Sequence, residues 1–276
     1  MRYLLYIMLT VILSGCMDFS IDEKEMQQAF DGEMYQPESN TLTIDSSQVH
    51  YVYIDNNRHN LVVFIHGSPG SWSAFIDYFK NDTLLSHFDV LAIDRPGFGM
   101  SDKGSPEPIL ERQAFLISEV IKLFDQPKVI MVGHSLGGPV IARVAMDNPE
   151  LVDGLLFLAP SIDPEQEKYE WYRSWIETKV GGWLTPTDFW VSNEEILPLK
   201  GELEKMLPLW GNISVPSIVI QGTKDNLVPK ENAEFARRML NDSLVDIRYI
   251  DGANHFIPWT YPEWVVKGII DLKKVD

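Results

Sequence analysis

Cysteine is almost absent from this chain: Cys16 is the only one in 276 residues. A lone thiol excludes an internal disulfide framework and any metal site built on cysteines. Positive charge is also scarce, with 23 lysines and arginines against 40 acids and a net charge of −17. That balance makes nucleic acid and anionic membrane surfaces poor partners and suits a solvated acidic surface. Internal repeats and long blocks of one charge are missing too, so repeat architectures and charged tails are excluded. Glycine and proline, 18 and 17 residues, are too few and too scattered for a disordered class. What is present is ample apolar material. At 45% hydrophobic residues the chain can bury a full core, and one large domain is expected.

The longest apolar stretch lies at the start. After Arg2, residues 3–13 contain Thr10 as their only strongly polar side chain. The stretch is too short to cross about 30 Å of hydrocarbon as a helix, but its length suits the apolar part of a secretory signal. It ends in Leu13-Ser14-Gly15-Cys16, which resembles the lipobox of bacterial lipoproteins. The resemblance implies cleavage before Cys16, lipid on its thiol and an acyl group on the new amine. It also implies residence on a membrane of the bacterial cell envelope, held by that anchor. An ordinary signal peptide or an uncleaved anchor is the alternative. The organisation expected is a signal peptide over 1–15, a polar lipidated tether over 16–40, and a domain over 41–276.

Within the domain, short apolar runs alternate with amphipathic ones. Residues 41–45 and 48–55 alternate in character and suggest an opening hairpin. Buried-type strands are expected at 61–65, 88–93, 128–132, 155–158 and 217–220, with another at 245–250. Helical spacing occupies 73–80, 107–124, 135–146, 230–240 and 261–273. Apolar strands alternating with helices predict an α/β architecture, a mostly parallel doubly wound sheet of about eight strands. Between 160 and 214 no strand is visible. Short helical stretches there, broken by Gly181-Gly182, Pro186, Pro198 and Pro208, carry five of the eight tryptophans. This segment reads as a helical cap, its aromatics packing it onto the body and a minority lining a binding cavity.

One apolar strand ends in Gly133-His134-Ser135-Leu136-Gly137-Gly138 and resumes as a helix. A turn this tight strains its central residue, and glycines two before and two after remove side chains that would collide. The turn exposes the Ser135 hydroxyl beside a helix N-terminus, where free N–H groups can receive an anion. A glycine-rich turn with a capping serine is the plainer reading.

A nucleophilic serine needs a base, and the base an orienting acid. His50, His59 and His87 fall in or near loops and edges, where solvated histidines are common. His134 lies inside the turn and points away from Ser135, and His66 follows the third strand as a backbone support. His255 follows the last strand, at the sheet edge that carries Ser135. Asp225 follows the preceding strand through Gly222. Asp163 is its rival, after the sixth strand, and Asp251 caps the loop it shares with His255.

These motifs together resemble the α/β-hydrolase fold, from about residue 41 to the end of the chain. The order Ser135, Asp225, His255 matches that fold's triad. His66-Gly67-Ser68-Pro69-Gly70 is similar to its oxyanion loop, and Asp94-Arg95-Pro96-Gly97-Phe98-Gly99-Met100-Ser101 to its turn after the fourth strand. The resemblance implies that the N–H groups of Ser68 and Leu136 receive an oxyanion. It implies an esterase or lipase-like enzyme acting on a carboxylic ester of a small or medium apolar substrate, without metal or organic cofactor. Amidase or aminopeptidase, haloperoxidase-like and C–C bond hydrolase chemistries share the serine triad, and a non-catalytic binding member would keep the fold alone. Dehalogenases and epoxide hydrolases of this fold carry aspartate where Ser135 stands.

Overall fold

The computed structural model describes residues 19–168 and 170–275. Cys16 and the signal segment over 1–15 lie outside the described residues. Strands β1 (Glu38–Ile44) and β2 (Ser47–Ile54) form the expected hairpin, and β2 also runs antiparallel to β4 (Asp89–Ile93). The remaining strands are parallel: β3 (Leu61–Ile65), β5 (Val129–His134), β6 (Gly154–Leu158), β7 (Ser217–Gly222) and β8 (Val245–Ile250). They make one eight-stranded sheet in the order β1-β2-β4-β3-β5-β6-β7-β8.

Strand β3 shows why the fold is layered. Leu61, Val63 and Ile65 join the core on one face, Val62 and Phe64 the core on the other. That is the two-residue period of a strand buried on both sides. The first face is covered by α3 (Leu110–Ile121), α4 (Gly137–Asp147) and α9 (Glu231–Met239). The second is covered by α1 (Glu23–Ala29), the short α2 (Asp82–Leu85) and α10 (Ile257–Thr260), and the last helix, α11 (Pro262–Lys273). Val265, Ile269 and Leu272 of α11 are all buried at helical spacing. Each contributes about 1.5–3 kcal/mol by leaving water.

Two expectations are corrected here. The helix expected over 73–80 is a pair of 3₁₀ turns, Trp72–Phe75 and Tyr78–Lys80. Trp72, Phe75 and Tyr78 are buried three residues apart, the spacing that eclipses side chains in a 3₁₀ helix rather than an α-helix. The tether expected over 16–40 is folded where it is described. Asp22 and Glu25 close a capping box on α1, Met26 and Phe30 enter the core, and β1 begins at Glu38. Five short apolar anchors among many acids hid this element from a reading based on composition.

The 160–214 insertion is helical as expected, with α5 (Trp171–Ile176), α6 (Lys179–Leu184), α7 (Thr187–Ile196) and α8 (Leu199–Met206). Its aromatics depart from expectation. Trp210 is buried in the core, but Trp171 and Trp183 are 78% and 83% exposed. None of the five cap tryptophans lines the cavity described next.

Candidate active site

The chain leaves β3 for β4 on one side and then returns to lay β5 on the other. This reversal of direction creates a crevice at the C-terminal ends of β3 and β5, the place where doubly wound sheets bind ligands. Ile65 and Gly133 are register partners there, so the loop after β3 and the turn after β5 emerge side by side. A cavity of about 890 Å³ opens above them, walled by both loops, the cap and the loops after β7 and β8.

Ser135 sits at φ +53°, a left-handed conformation that a non-glycine residue adopts only under strain. The surrounding bonds hold it: its N–H donates to Leu158 O at 3.0 Å, and its carbonyl accepts from Gly138 at 2.9 Å and Ser161 at 3.2 Å. The glycines are sterically required. A Cβ on Gly133 would lie 2.5 Å from Gly137 O, and one on Gly137 would lie 2.3 Å from Ile65 O. Leu136 caps α4, so its N–H is among those that a helix start leaves without an intrahelical acceptor.

His255 and Asp225 meet as a pair, with Nδ1 2.8 Å from Oδ2. A carboxylate only accepts, so Nδ1 carries a proton, and in the neutral ring this leaves the lone pair on Nε2. The other oxygen, Oδ1, accepts from the N–H groups of Leu227 at 2.9 Å and Val228 at 2.8 Å, and Gln221 Nε2 approaches Oδ2 at 3.4 Å. The carboxylate is thereby fixed in direction. His255 lines the cavity with Ser135, Leu136 and Ser68. Asp163 is committed elsewhere: its Oδ1 accepts from Glu165 N–H and its Oδ2 faces Arg238 at 3.4 Å. Asp251 is exposed and accepts from Thr223 Oγ1.

His134, His66 and His50 are buried and held by hydrogen bonds within the fold. His134 Nε2–H donates to His255 O at 3.0 Å, and the two rings lie 4.7 Å apart. Burial, helped by His255 close by, lowers the His134 pKa to about 3. His66 donates through Nδ1 to Gly67 O and accepts the Arg95 N–H at Nε2. Burial first, then the Arg95 charge, holds its pKa well below the usual value. His50, expected among solvated histidines, is buried in β2 between Asp94 and Ser39. Its position in an alternating hairpin strand concealed which face it took.

Sequence alone marks no role for Arg95, in the turn after β4. Arg95 is fully buried and donates to His66 O and Gly67 O, both at 2.9 Å. In a trans peptide the N–H points opposite to the C=O. Holding the Gly67 carbonyl on Arg95 therefore turns the Ser68 N–H away from it. The same guanidinium grips Glu195 of α7 through two bonds, 2.7 and 2.9 Å, and Gln113 at 3.1 Å. The cap and the loop after β3 are thus held by one cation. Nothing in the sequence marks Glu195, because its partner lies 100 residues away.

The cavity wall is largely apolar, with rings from Phe19, Tyr172, Phe189, Phe256 and Trp259. Its charged members are Glu167, Lys168, Glu170 and Arg173, two of each sign. Burial raises the Glu167 pKa against the hydrogen bond it accepts from Ser161. Among the described residues no group of three histidine, cysteine or acidic side chains is arranged to hold a metal ion.

Residues 60–186 match the model of the alpha/beta hydrolase fold family. The chain has the α/β-hydrolase fold. The uncharacterized hydrolase YugF of Bacillus subtilis strain 168 is 22% identical over 271 residues, covering 84% of this chain and 97% of the relative. An (E)-2-((N-methylformamido)methylene)succinate hydrolase of Acinetobacter baylyi is 23% identical over 258 residues, covering 82% and 95%. Among solved structures, a membrane phospholipase A described as a bacterial virulence factor superposes with a TM-score of 0.68 at 16% identity, covering 99% of both chains.

Proposed function

We propose that this α/β-hydrolase chain is a serine esterase. One observation carries the reading: the Asp225–His255 pair opens onto the same cavity as a serine held in a strained turn. Ser135 Oγ attacks the ester carbonyl carbon while His255 Nε2 takes its proton. The oxyanion receives the N–H groups of Ser68 and Leu136. Collapse breaks the bond to the alcohol oxygen, which leaves with the proton from Nε2, and Ser135 stays acylated. Water then gives a proton to Nε2 as it attacks the acyl carbon, and the acid departs as Ser135 recovers that proton. Asp225 orients the imidazole and stabilises its charged form.

The succinate hydrolase relative favours a second reading, hydrolysis of a bond in a dicarboxylate. The balanced wall charges speak against it, since two acids neutralise Lys168 and Arg173. The ester reading rests on the apolar rings instead. A fluorophosphonate probe should label the purified protein and fail to label Ser135→Ala. That variant should lose ester hydrolysis by several orders of magnitude. Unchanged turnover in the variant refutes the assignment. The proposal includes a lipid anchor at Cys16, tested by Cys16→Ser. That change should move the domain from the membrane to the soluble fraction or leave it unprocessed.

A further inference from the structure

The cap turns apolar side chains outward. Trp171 and Trp175, four residues apart on α5, are 78% and 48% exposed; Val180 and Trp183, three apart on α6, are 64% and 83% exposed. Side chains at those spacings share a helix face, so both short helices present an apolar stripe to the outside. Exposed apolar patches of this kind mark interaction surfaces, and tryptophan is the residue most suited to the water–lipid boundary.

Where the chain enters the domain says what covers the stripe. Phe19 is clamped on the cavity wall: its carbonyl accepts from Ser71 Oγ and Ser73 Oγ, and its N–H donates to Asp188 of α7 at 3.2 Å. Its ring meets that of Phe189 at 5.6 Å. Helix α7 follows α6 after only Thr185 and Pro186. Cys16 precedes Phe19 by three residues, at most about 11 Å of chain, and the apolar run over 3–13 lies before it. Anchored by lipid or by that run, the membrane end of the chain reaches the domain at its cap. Charge agrees. Residues 170–186 carry Glu170 and Glu177 against Arg173 and Lys179, a neutral patch on a chain of net charge −17.

We propose that the tryptophan face of α5 and α6 rests on a zwitterionic phospholipid bilayer and that the cavity draws its ester from that bilayer. The second clause rests on the esterase reading; the first does not. Tyr172, which lines the cavity, packs edge-on against Trp171, so the stripe and the cavity are one side chain apart.

All eight tryptophans follow residue 70, so their fluorescence reports on the domain and not on the N-terminal anchor. Full-length protein in vesicles of brominated phosphatidylcholine should be quenched relative to unbrominated vesicles. Trp171→Ser/Trp183→Ser should lose most of that quenching, and Ser135→Ala should keep it. Equal fluorescence in both vesicle types overturns the docking, as does self-association of the chain through these rings. For the substrate, the double variant should hydrolyse a vesicle-borne ester about tenfold more slowly, a difference of roughly 1.4 kcal/mol, with a water-soluble short ester unaffected. Equal loss on both esters overturns the bilayer source. Wild-type protein inactive on both refutes the esterase reading, while quenching still decides the docking.

Discussion

The floor and the roof of the cavity are built on different terms. The floor is backbone: two loops hang from neighbouring strands, and Ser135 is held by three main-chain hydrogen bonds between glycines that nothing larger can replace. The roof is four short helices, and three of its five tryptophans are exposed. The floor is rigid because its position follows from the sheet. The roof is rooted in the core by Leu199, Leu203, Met206 and Trp210, and its remaining helices are tied to the body by side chains such as Arg95 to Glu195 and Phe19 to Phe189. The proposed chemistry therefore belongs to the floor and the proposed access route to the roof.

The largest expected break in this contrast lies at the floor. Asp225→Asn should lower turnover by about four orders of magnitude, since the amide can hold the imidazole in the wrong tautomer and no longer stabilises its charged form. Asp163→Asn, at the root of the roof, should change turnover little. Steady-state kinetics on one soluble ester compare the two, and the opposite ranking would move the acid role to Asp163.

The tie between the regions comes next. Glu195→Ala leaves the Arg95 guanidinium buried without its carboxylate, a change that costs about 3–5 kcal/mol in such pairs. The urea midpoint should fall accordingly. Glu195→Gln, which keeps an acceptor, should lower kcat more than it raises KM, because Arg95 sets the Gly67 carbonyl and through it the Ser68 N–H. A change confined to KM would show that the tie serves only the roof.

Acid separates the regions by stability. His134, beneath His255, is neutral when folded and takes a proton only near pH 3, whereas the unfolded chain takes it near 6.5. The unfolded state thus binds more protons between these values, so stability is full above about pH 6.5 and falls as pH drops toward 3. His134→Gln should flatten the dependence of the urea midpoint on pH between 6.5 and 5. The smallest effect belongs to the roof: Trp183→Ala should shift stability by no more than about 0.5 kcal/mol, against about 2–5 kcal/mol for Ile269→Ala in the core.

The same contrast governs what could be read from the sequence. Strands β3, β5, β6 and β7 were visible because both their faces are buried, and the serine turn because glycine is obligatory at fixed offsets. That Asp225 and His255 meet was legible because each follows a strand at the edge where the crevice lies. Chain position alone left Asp163 open; only the distance from His255 to Asp225 separates the two. Elements held by distant side chains were not legible. Helix α1 looked polar because only Met26 of its seven residues is buried. Glu195 looked like one acid among many because a local window cannot contain Arg95. The cap tryptophans were expected inside on the general rule that large rings seek burial, which gives way when a surface has a partner of its own.

The Arg95–Glu195 pair also constrains ancestry. A lineage cannot exchange its cap for another as an independent module while keeping this floor, because the incoming helices must bring an acid to the same point or leave a stranded cation. Any chimera joining this body to a foreign cap must therefore restore that match first.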